Sequence, residues 1–287
     1  MIIMSGIFFG FIFLMSLLFR SGSGNSSFAS GEKVGVIEIS GVIIDSKSII
    51  EDMKTFREDD SVKAIVLRID SPGGGVGPSQ EIFQEVRKTI KQKKVIVSMG
   101  AVAASGGYYI ASGSNGIVAN PGTITGSIGV IMGYTNFREV FQKIGLTPVV
   151  IKSGEFKDMG SPVREMTESE KKLLQHFVDQ IHHQFVRDVS TGRSMDVQKM
   201  MSLADGRIFT GEEAKNLGLV DRLGNLEDAV EWAGRLGGIK GKISRIYPEE
   251  KGIDVLRGLM ESSARQLLEN TFRSQITAGY LYQPGNG

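Results

Sequence analysis

The chain has 287 residues with 33 basic and 32 acidic side chains, so its net charge of +1 gives no basic surplus for a nucleic-acid partner. It contains no cysteine, which excludes disulfides, thiolate metal sites and a cysteine nucleophile. With 41% hydrophobic and 23% charged residues, the composition is that of a globular protein long enough to bury a full core.

The chain begins with an uncharged run from Ile2 to Phe19. As a helix this run would be about 27 Å long, close to the roughly 30 Å of bilayer hydrocarbon. We therefore predict a transmembrane anchor over residues 1–20, with a cleaved signal peptide as the alternative, and a Gly/Ser-rich flexible linker over 21–31. The expected location is the cell membrane, crossed once, with the globular domain on the extracytoplasmic side. Arg20, however, follows the run on the side that the positive-inside rule disfavours.

For residues 32–240, the sequence pattern predicts an α/β domain in which strands alternate with helices. The predicted strands span 33–44, 62–69, 93–99, 116–119, 129–132 and 148–151. The predicted helices span 46–60, 78–92, 105–112, 136–144 and 167–189. Because the strands are almost continuously apolar, we expect a parallel sheet with helices on both faces. For residues 241–287, the sequence predicts a C-terminal part with a strand at 243–247, a helix at 253–269 and a flexible tail.

Ser105 lies between a predicted buried strand and a short helix, and Gly106 and Gly107 follow it directly. A hydroxyl at a helix start, beside open backbone N–H groups, suits a nucleophile whose oxyanion needs preorganised donors. The plainer interpretation is an N-cap serine with glycines for close packing. The triplet at residues 73–75 also joins a strand to a helix, but its spacing fits neither phosphate-binding fingerprint. It is therefore either a source of an oxyanion donor or a simple turn.

A general base is harder to identify from the residues. The three histidines, His176, His182 and His183, all lie in the predicted helix 167–189, which opens with a capping box of Thr167 and Glu170. No predicted loop brings them towards a site, and their spacing is not that of a helical metal site. We expect no metal and no cofactor. A lysine can act as base when burial lowers its pKa, but composition does not choose among the lysines.

Three segments together resemble the signal peptide peptidases of the SppA type, which are serine peptidases related to the Clp protease and crotonase fold. The segments are DSPGGGV at 70–76, SMGAVAASGGYYI at 98–110, and TGSIGVI at 125–131 with IKSGEFKD at 151–158 behind it. Further motifs follow in the same order at 161–166, 205–211 and 217–221. The resemblance covers about residues 33–235. It implies a parallel sheet layered with helices, as in the Clp protease and crotonase fold.

The resemblance also implies the roles of individual residues. Ser105 matches the nucleophile, and Lys157, which lies 52 residues later, matches the general base. Ser127 matches the serine that orients this lysine. Gly74 and the amide of Gly106 match the oxyanion hole.

The implied function is a membrane-anchored serine endopeptidase with a Ser-Lys dyad. Its expected substrates are cleaved signal peptides and other apolar peptides at the membrane, and its expected state is a ring-like homo-oligomer. Four residues are candidates for lining an apolar groove, unless they belong to the ordinary core: Val76, Met99, Val130 and Met132. The apolar tail from Thr277 onwards is either a self-substrate or a disordered terminus. Two alternatives stay open: a crotonase-type acyl-CoA enzyme, and an inactive membrane-tethered scaffold.

Overall fold

The computed structural model describes residues 32–249 and 277–281. The predicted anchor at 1–20, the linker at 21–31 and the helix at 253–269 lie outside the described residues. Among the helices that the structure describes, none combines the length and the apolar character needed to cross a bilayer.

An eight-stranded sheet forms the centre of the fold. Its main path runs in the order β10-β1-β2-β4-β5-β9, and all neighbours along this path are parallel. Strand β6 continues the sheet beside the far end of β4, and β8 pairs with β6 in antiparallel orientation. These strands are β1 (Lys33–Ser40), β2 (Val62–Ser71), β4 (Lys94–Ala104), β5 (Gly116–Ala119), β6 (Ile124–Gly126), β8 (Ile208–Thr210), β9 (Arg222–Leu223) and β10 (Ser244–Ile246).

Helices cover both faces of this sheet, as the apolar strands predicted. The helices are α1 (Lys47–Glu58), α2 (Val76–Thr89), α3 (Gly106–Ser112), α4 (Arg138–Lys143), α5 (Glu168–Arg193), α6 (Val197–Leu203), α7 (Gly211–Asn216) and α8 (Leu226–Leu236). Neighbouring residues of β2 show why the strands lack polar alternation: Leu67 packs in the core under α1, α2, α3 and α5, whereas Val66 packs in the core under α8. Both side chains are fully buried.

A second, three-stranded antiparallel sheet lies at the end of the first. It consists of β3 (Gly73–Gly75), β11 (Thr277–Leu281) and β7 (Ile131–Gly133), with β11 in the middle. The sequence predicted a flexible tail after residue 277. The structure instead places 277–281 as a strand between two others, because β3 and β7 each offer it an edge.

The predicted strand at 148–151 is wrong. This stretch has no regular structure, and the side chains of Val149, Val150 and Ile151 are exposed. A short apolar run predicts a strand only where a sheet covers it. Among the described residues, no strand pairs with this segment.

Candidate active site

Ser105 stands where β4 ends and α3 begins, and its backbone is strained. Its φ of 54° and ψ of −115° lie where residues with a side chain are rare. Such a conformation persists only when the surroundings impose it, and it is common at functional sites. The residue is 1% exposed, and its hydroxyl forms no hydrogen bond within residues 32–249. The sharp turn is the kind that presents a nucleophilic hydroxyl at the start of a helix.

Two backbone hydrogen bonds hold this turn. The Ser105 N–H donates to the Gly126 carbonyl at 2.8 Å, and the Ser105 carbonyl accepts from the Tyr109 N–H at 2.8 Å. Ser127 follows Gly126 directly, also has a positive φ of 50°, and donates its N–H to the Arg207 carbonyl at 2.8 Å. Because β4 and β6 pair in parallel with Ala104 opposite Gly126, the structure brings Ser105 and Ser127 to the same end of neighbouring strands.

Gly74 is held too close to another backbone for any side chain. A Cβ placed on it would lie 2.1 Å from the Ile43 carbonyl oxygen. The carbonyl of Gly73 accepts from the Ile43 N–H, and the N–H of Gly75 donates to the Ile43 carbonyl. Backbone groups alternate sides along a strand, so the Gly74 N–H faces away from Ile43 and towards β11.

The glycine strand and the start of α3 lie at the same edge of the large sheet. Ser71, two residues before Gly73, pairs with Ala103, two residues before Ser105. A Cβ on Gly107 would lie 3.2 Å from the Ser71 carbonyl oxygen, so a glycine permits this close approach. The first amides of a helix have no intrahelical acceptor. The backbone of β3 and the first turn of α3 therefore form one surface beside Ser105.

β11 runs along this surface as an extended segment. Tyr280 lies opposite Gly74, and Ala278 lies opposite Met132 on the other flanking strand. Since the Gly74 N–H faces β11, Gly74 and Tyr280 form a hydrogen-bonded pair of the antiparallel ladder, in which each N–H donates to the opposite carbonyl. The Tyr280 carbonyl of this extended segment therefore lies opposite the Gly74 amide, which matches a donor of the oxyanion hole.

Within the described residues, no hydrogen bond joins Lys157 to Ser105 or Ser127. Its side chain is exposed, and within residues 32–249 its ammonium group forms no hydrogen bond or ion pair. Its backbone N–H donates to the Gly154 carbonyl at 3.2 Å in a series of turns. The same part of the chain exposes large apolar side chains: Ile131, Tyr134, Phe137, Val140, Ile144, Leu146, Val149, Val150, Ile151 and Phe156.

A cluster of charges fixes the residue after Lys157. The Arg164 guanidinium donates from Nε and Nη2 to the two carboxylate oxygens of Asp158, both at 2.8 Å. It also donates from Nη1 to Glu170 Oε2 at 2.9 Å, and Nη2 contacts Oε1 of the same carboxylate. Hydrogen bonds from Arg164, then from the Thr167 amide, lower the pKa of Glu170 to about 2. Hydrogen bonds from Arg164 and Lys152 lower the pKa of Asp158.

Sequence reasoning missed this cluster. Arg164 lies in the SPVREM motif, and the capping box of Thr167 and Glu170 was recognised. A basic residue that lies between two acidic ones, Asp158 and Glu170, is a sequence signal for an ion pair. The sequence does not show, however, that Arg164 contacts both acids. The three histidines lie on α5, as predicted.

The candidate groove residues divide into two groups. Met99 is 0% exposed in the main core, which was its alternative assignment. Val76 and Val130 are partly buried and pack against this core, and Met132 is partly buried in β7. Met132 pairs directly with β11, and Val76 begins α2 immediately after the glycine strand.

The chain is similar in sequence to known peptidases. The sequence profile of peptidase family S49 matches residues 87–240, and that of Clp protease matches residues 33–124. A candidate protease of Synechocystis sp. is 46% identical over 210 residues, which cover 72% of this chain and 76% of that protein. A candidate signal peptide peptidase SppA of Enterococcus faecium is 39% identical over 217 residues, which cover 71% of this chain and 63% of the relative.

A solved structure supports the fold. A variant of the 1510-N membrane-bound stomatin-specific protease superposes with a TM-score of 0.52 at 19% identity, and the match covers 77% of this chain and 99% of that one. At this identity the likeness concerns the fold alone. The family profile spans more than half of the chain, and the Synechocystis relative is similar over most of its length. The chain therefore belongs to peptidase family S49 and is a serine peptidase with a Clp-protease-like α/β fold.

Proposed function

We propose that this serine peptidase cleaves extended apolar peptides at the membrane, with Ser105 as nucleophile and Lys157 as general base. The observation that carries the proposal is the antiparallel pairing of β11 with β3 and β7 beside Ser105. A peptide added as a strand between two edges is bound through its main chain. This mode of binding leaves a peptide carbonyl near Gly74 whatever the side chains are.

The chemistry follows from these groups. The Ser105 oxygen attacks the peptide carbonyl carbon, and its proton passes to the neutral amine of Lys157. The amides of Gly74 and Gly106 stabilise the negative oxygen that forms. The lysine then returns the proton to the leaving amine, which departs as the C–N bond breaks and an ester to Ser105 remains. Water, deprotonated by the same lysine, hydrolyses this ester and restores the serine.

The register of β11 supports a particular bond in the tail. Tyr280 lies opposite Gly74, so its carbonyl takes the place that the reacting carbonyl of a substrate would occupy. The enzyme would then cut between Tyr280 and Leu281 and shorten its own C-terminus. In this proposal, β11 is both a self-substrate and an example of how other peptides bind.

The proposed base must come closer to the serine than the described chain brings it. One route is closure of the segment 131–165 onto Ser105 together with the start of α5, to which Arg164 binds this segment. The other is a neighbouring copy that packs on this segment and covers its exposed apolar side chains. Since monomeric proteins rarely leave so many large apolar residues open together, we include a homo-oligomer in the proposal.

The predicted anchor at 1–20 supports the substrate class. An enzyme tethered at the bilayer meets the apolar helices that remain there after signal cleavage, which agrees with the name of the Enterococcus faecium relative. The proposal places the catalytic domain on the extracytoplasmic side.

Labelling with a fluorophosphonate, which reacts with activated serines, tests the proposed nucleophile and base together. We expect an adduct on Ser105 in the full chain, and its near-complete loss in the Lys157→Ala variant. An adduct formed equally fast without Lys157 would contradict the role of this lysine. Absence of any adduct on Ser105 would contradict the nucleophile.

A further inference from the structure

Arg164 joins the turn that carries Lys157 to the N-terminus of α5. We propose that Arg164 is a positioning residue: by binding Asp158 and Glu170 at once, it fixes the main chain from which Lys157 extends. This inference rests on the proposed role of Lys157 as general base. Arg164 belongs neither to the proposed dyad nor to the proposed oxyanion hole.

The first contact holds the turn. Both oxygens of the Asp158 carboxylate accept hydrogen bonds from Arg164 at 2.8 Å, and the Asp158 carbonyl accepts a third at 3.2 Å. Lys152 adds a bond of 2.6 Å to Asp158 Oδ1 from the start of the turn, and its ammonium also donates to the Glu155 carbonyl at 2.7 Å. The Asp158 side chain is only 14% exposed. The residue next to Lys157 is therefore bound through both its side chain and its backbone.

The second contact ties Arg164 to a fixed point of the fold. Glu170 accepts from two nitrogens of the same guanidinium and from the Thr167 N–H at 2.8 Å. Its side chain is 3% exposed. Further along α5, Phe185 and Val189 lie in the main core, and the Phe185 ring packs edge-on against Tyr109 at 5.0 Å. The helix that receives Arg164 therefore packs on α3, the helix that begins after Ser105.

The chemistry of the cluster requires an arginine. A guanidinium presents a planar fork that binds two carboxylates with several directed bonds, whereas an ammonium is a point charge on a flexible stem. Hydrogen bonds from Arg164 lower the pKa of both carboxylates, to about 2 for Glu170, so both stay ionised well into the acidic range. The link is therefore intact across the range in which a lysine base operates.

Displacement of the general base lowers the rate of the chemical step rather than the affinity for the substrate. Misplacement by about 1 Å of a group that acts on the reacting atoms is worth up to roughly a hundredfold in rate. Loss of the link should therefore lower kcat and leave KM nearly unchanged, because peptide binding depends on β3 and β7. We expect Arg164→Ala to lower kcat between about tenfold and a hundredfold. Arg164→Lys should recover part of this loss by binding one carboxylate.

The experiment measures kcat and KM of the full-length enzyme for a fluorogenic apolar peptide. The variants are Arg164→Ala, Arg164→Lys, Asp158→Ala and the double variant Arg164→Ala/Asp158→Ala. Asp158→Ala leaves the Arg164–Glu170 pair intact, so it tests the link even where Arg164→Ala fails to fold. Arg138→Ala is the matched control, because Arg138 pairs with Glu165 at 2.6 Å in the same segment and does not touch Asp158.

We expect Arg164→Ala and Asp158→Ala each to lose kcat, the double variant to lose no more than the worse of these two, and Arg138→Ala to stay within about twofold of the parent. Full kcat in Asp158→Ala, or losses that multiply in the double variant, would overturn the inference. Lys157→Ala, measured in parallel, separates this outcome from failure of the proposed function. Activity that survives Lys157→Ala contradicts the base itself, whereas its loss there with normal Asp158→Ala turnover contradicts only the link.

Discussion

Replacing Gly74 by alanine should damage catalysis through the backbone. The added Cβ would lie 2.1 Å from the Ile43 carbonyl oxygen and 2.5 Å from the Ile43 nitrogen, both of them backbone atoms. Ordinary contact begins at 3.4 Å, so the backbones at Gly74 and Ile43 must separate by about 1.3 Å at this point. Gly74 carries the amide that we assign to the oxyanion hole. A displacement of this size removes a preorganised donor, which lowers kcat by about a hundredfold to a thousandfold.

Gly77→Ala provides the matched control. A Cβ on Gly77 meets no atom within 4 Å, and the residue lies in the first turn of α2, so alanine is accommodated there. The assay is steady-state turnover of a fluorogenic apolar peptide, with circular dichroism to confirm that both variants fold. We expect the large loss in Gly74→Ala and parental turnover in Gly77→Ala. A folded Gly74→Ala variant with parental kcat would refute the assigned role of this amide.

Three further outcomes can be measured. Intact-mass analysis of the active enzyme should show loss of residues 281–287, and Ser105→Ala should keep the full C-terminus; an untrimmed active enzyme would contradict the register argument. Mixing Ser105→Ala with Lys157→Ala should restore part of the activity if a neighbouring copy supplies the lysine, whereas no recovery would favour closure within one chain. Glu170→Gln should lower stability to urea near neutral pH. Because the pKa of Glu170 is lowered from 4.5 to about 2, its contribution is present above about pH 4.5 and disappears as the pH falls towards 2. A difference between parent and variant that persists at the acidic end would contradict the assigned ion pair.

The sequence predicted the parallel sheet and its covering helices because burial on both faces leaves almost continuous apolar runs. β1, β2 and β4 are such runs, and they appear where they were expected. The short strands β6, β8 and β9 have two or three residues, too few for a periodic pattern to emerge. The strand predicted at 148–151 failed for a different reason. Its apolar residues are exposed, and hydrophobicity alone does not show what covers a segment.

The candidate site was predictable to different degrees. The strand–Ser105–helix junction follows from small residues between two apolar segments, and the structure shows the strained turn that such a junction needs. The closeness of Ser105 to Ser127 depends on the pairing of β4 with β6, which local sequence does not specify. Long-range pairing also brings β11 to Gly74. The Arg164–Asp158 contact joins residues only six positions apart, but it depends on a series of irregular turns that the local pattern does not specify. Lys157 was assigned by resemblance, and its approach to Ser105 remains a prediction.

The most direct test of the proposed mechanism is cleavage of a fluorogenic apolar peptide by the full chain beside its Ser105→Ala and Lys157→Ala variants. We predict activity in the parent and loss of nearly all turnover in each variant, because a nucleophile and its base act as one unit. Inactivity of all three proteins would favour a membrane-tethered scaffold. Turnover that survives Ser105→Ala would contradict the assignment of the nucleophile, and with it the proposed mechanism.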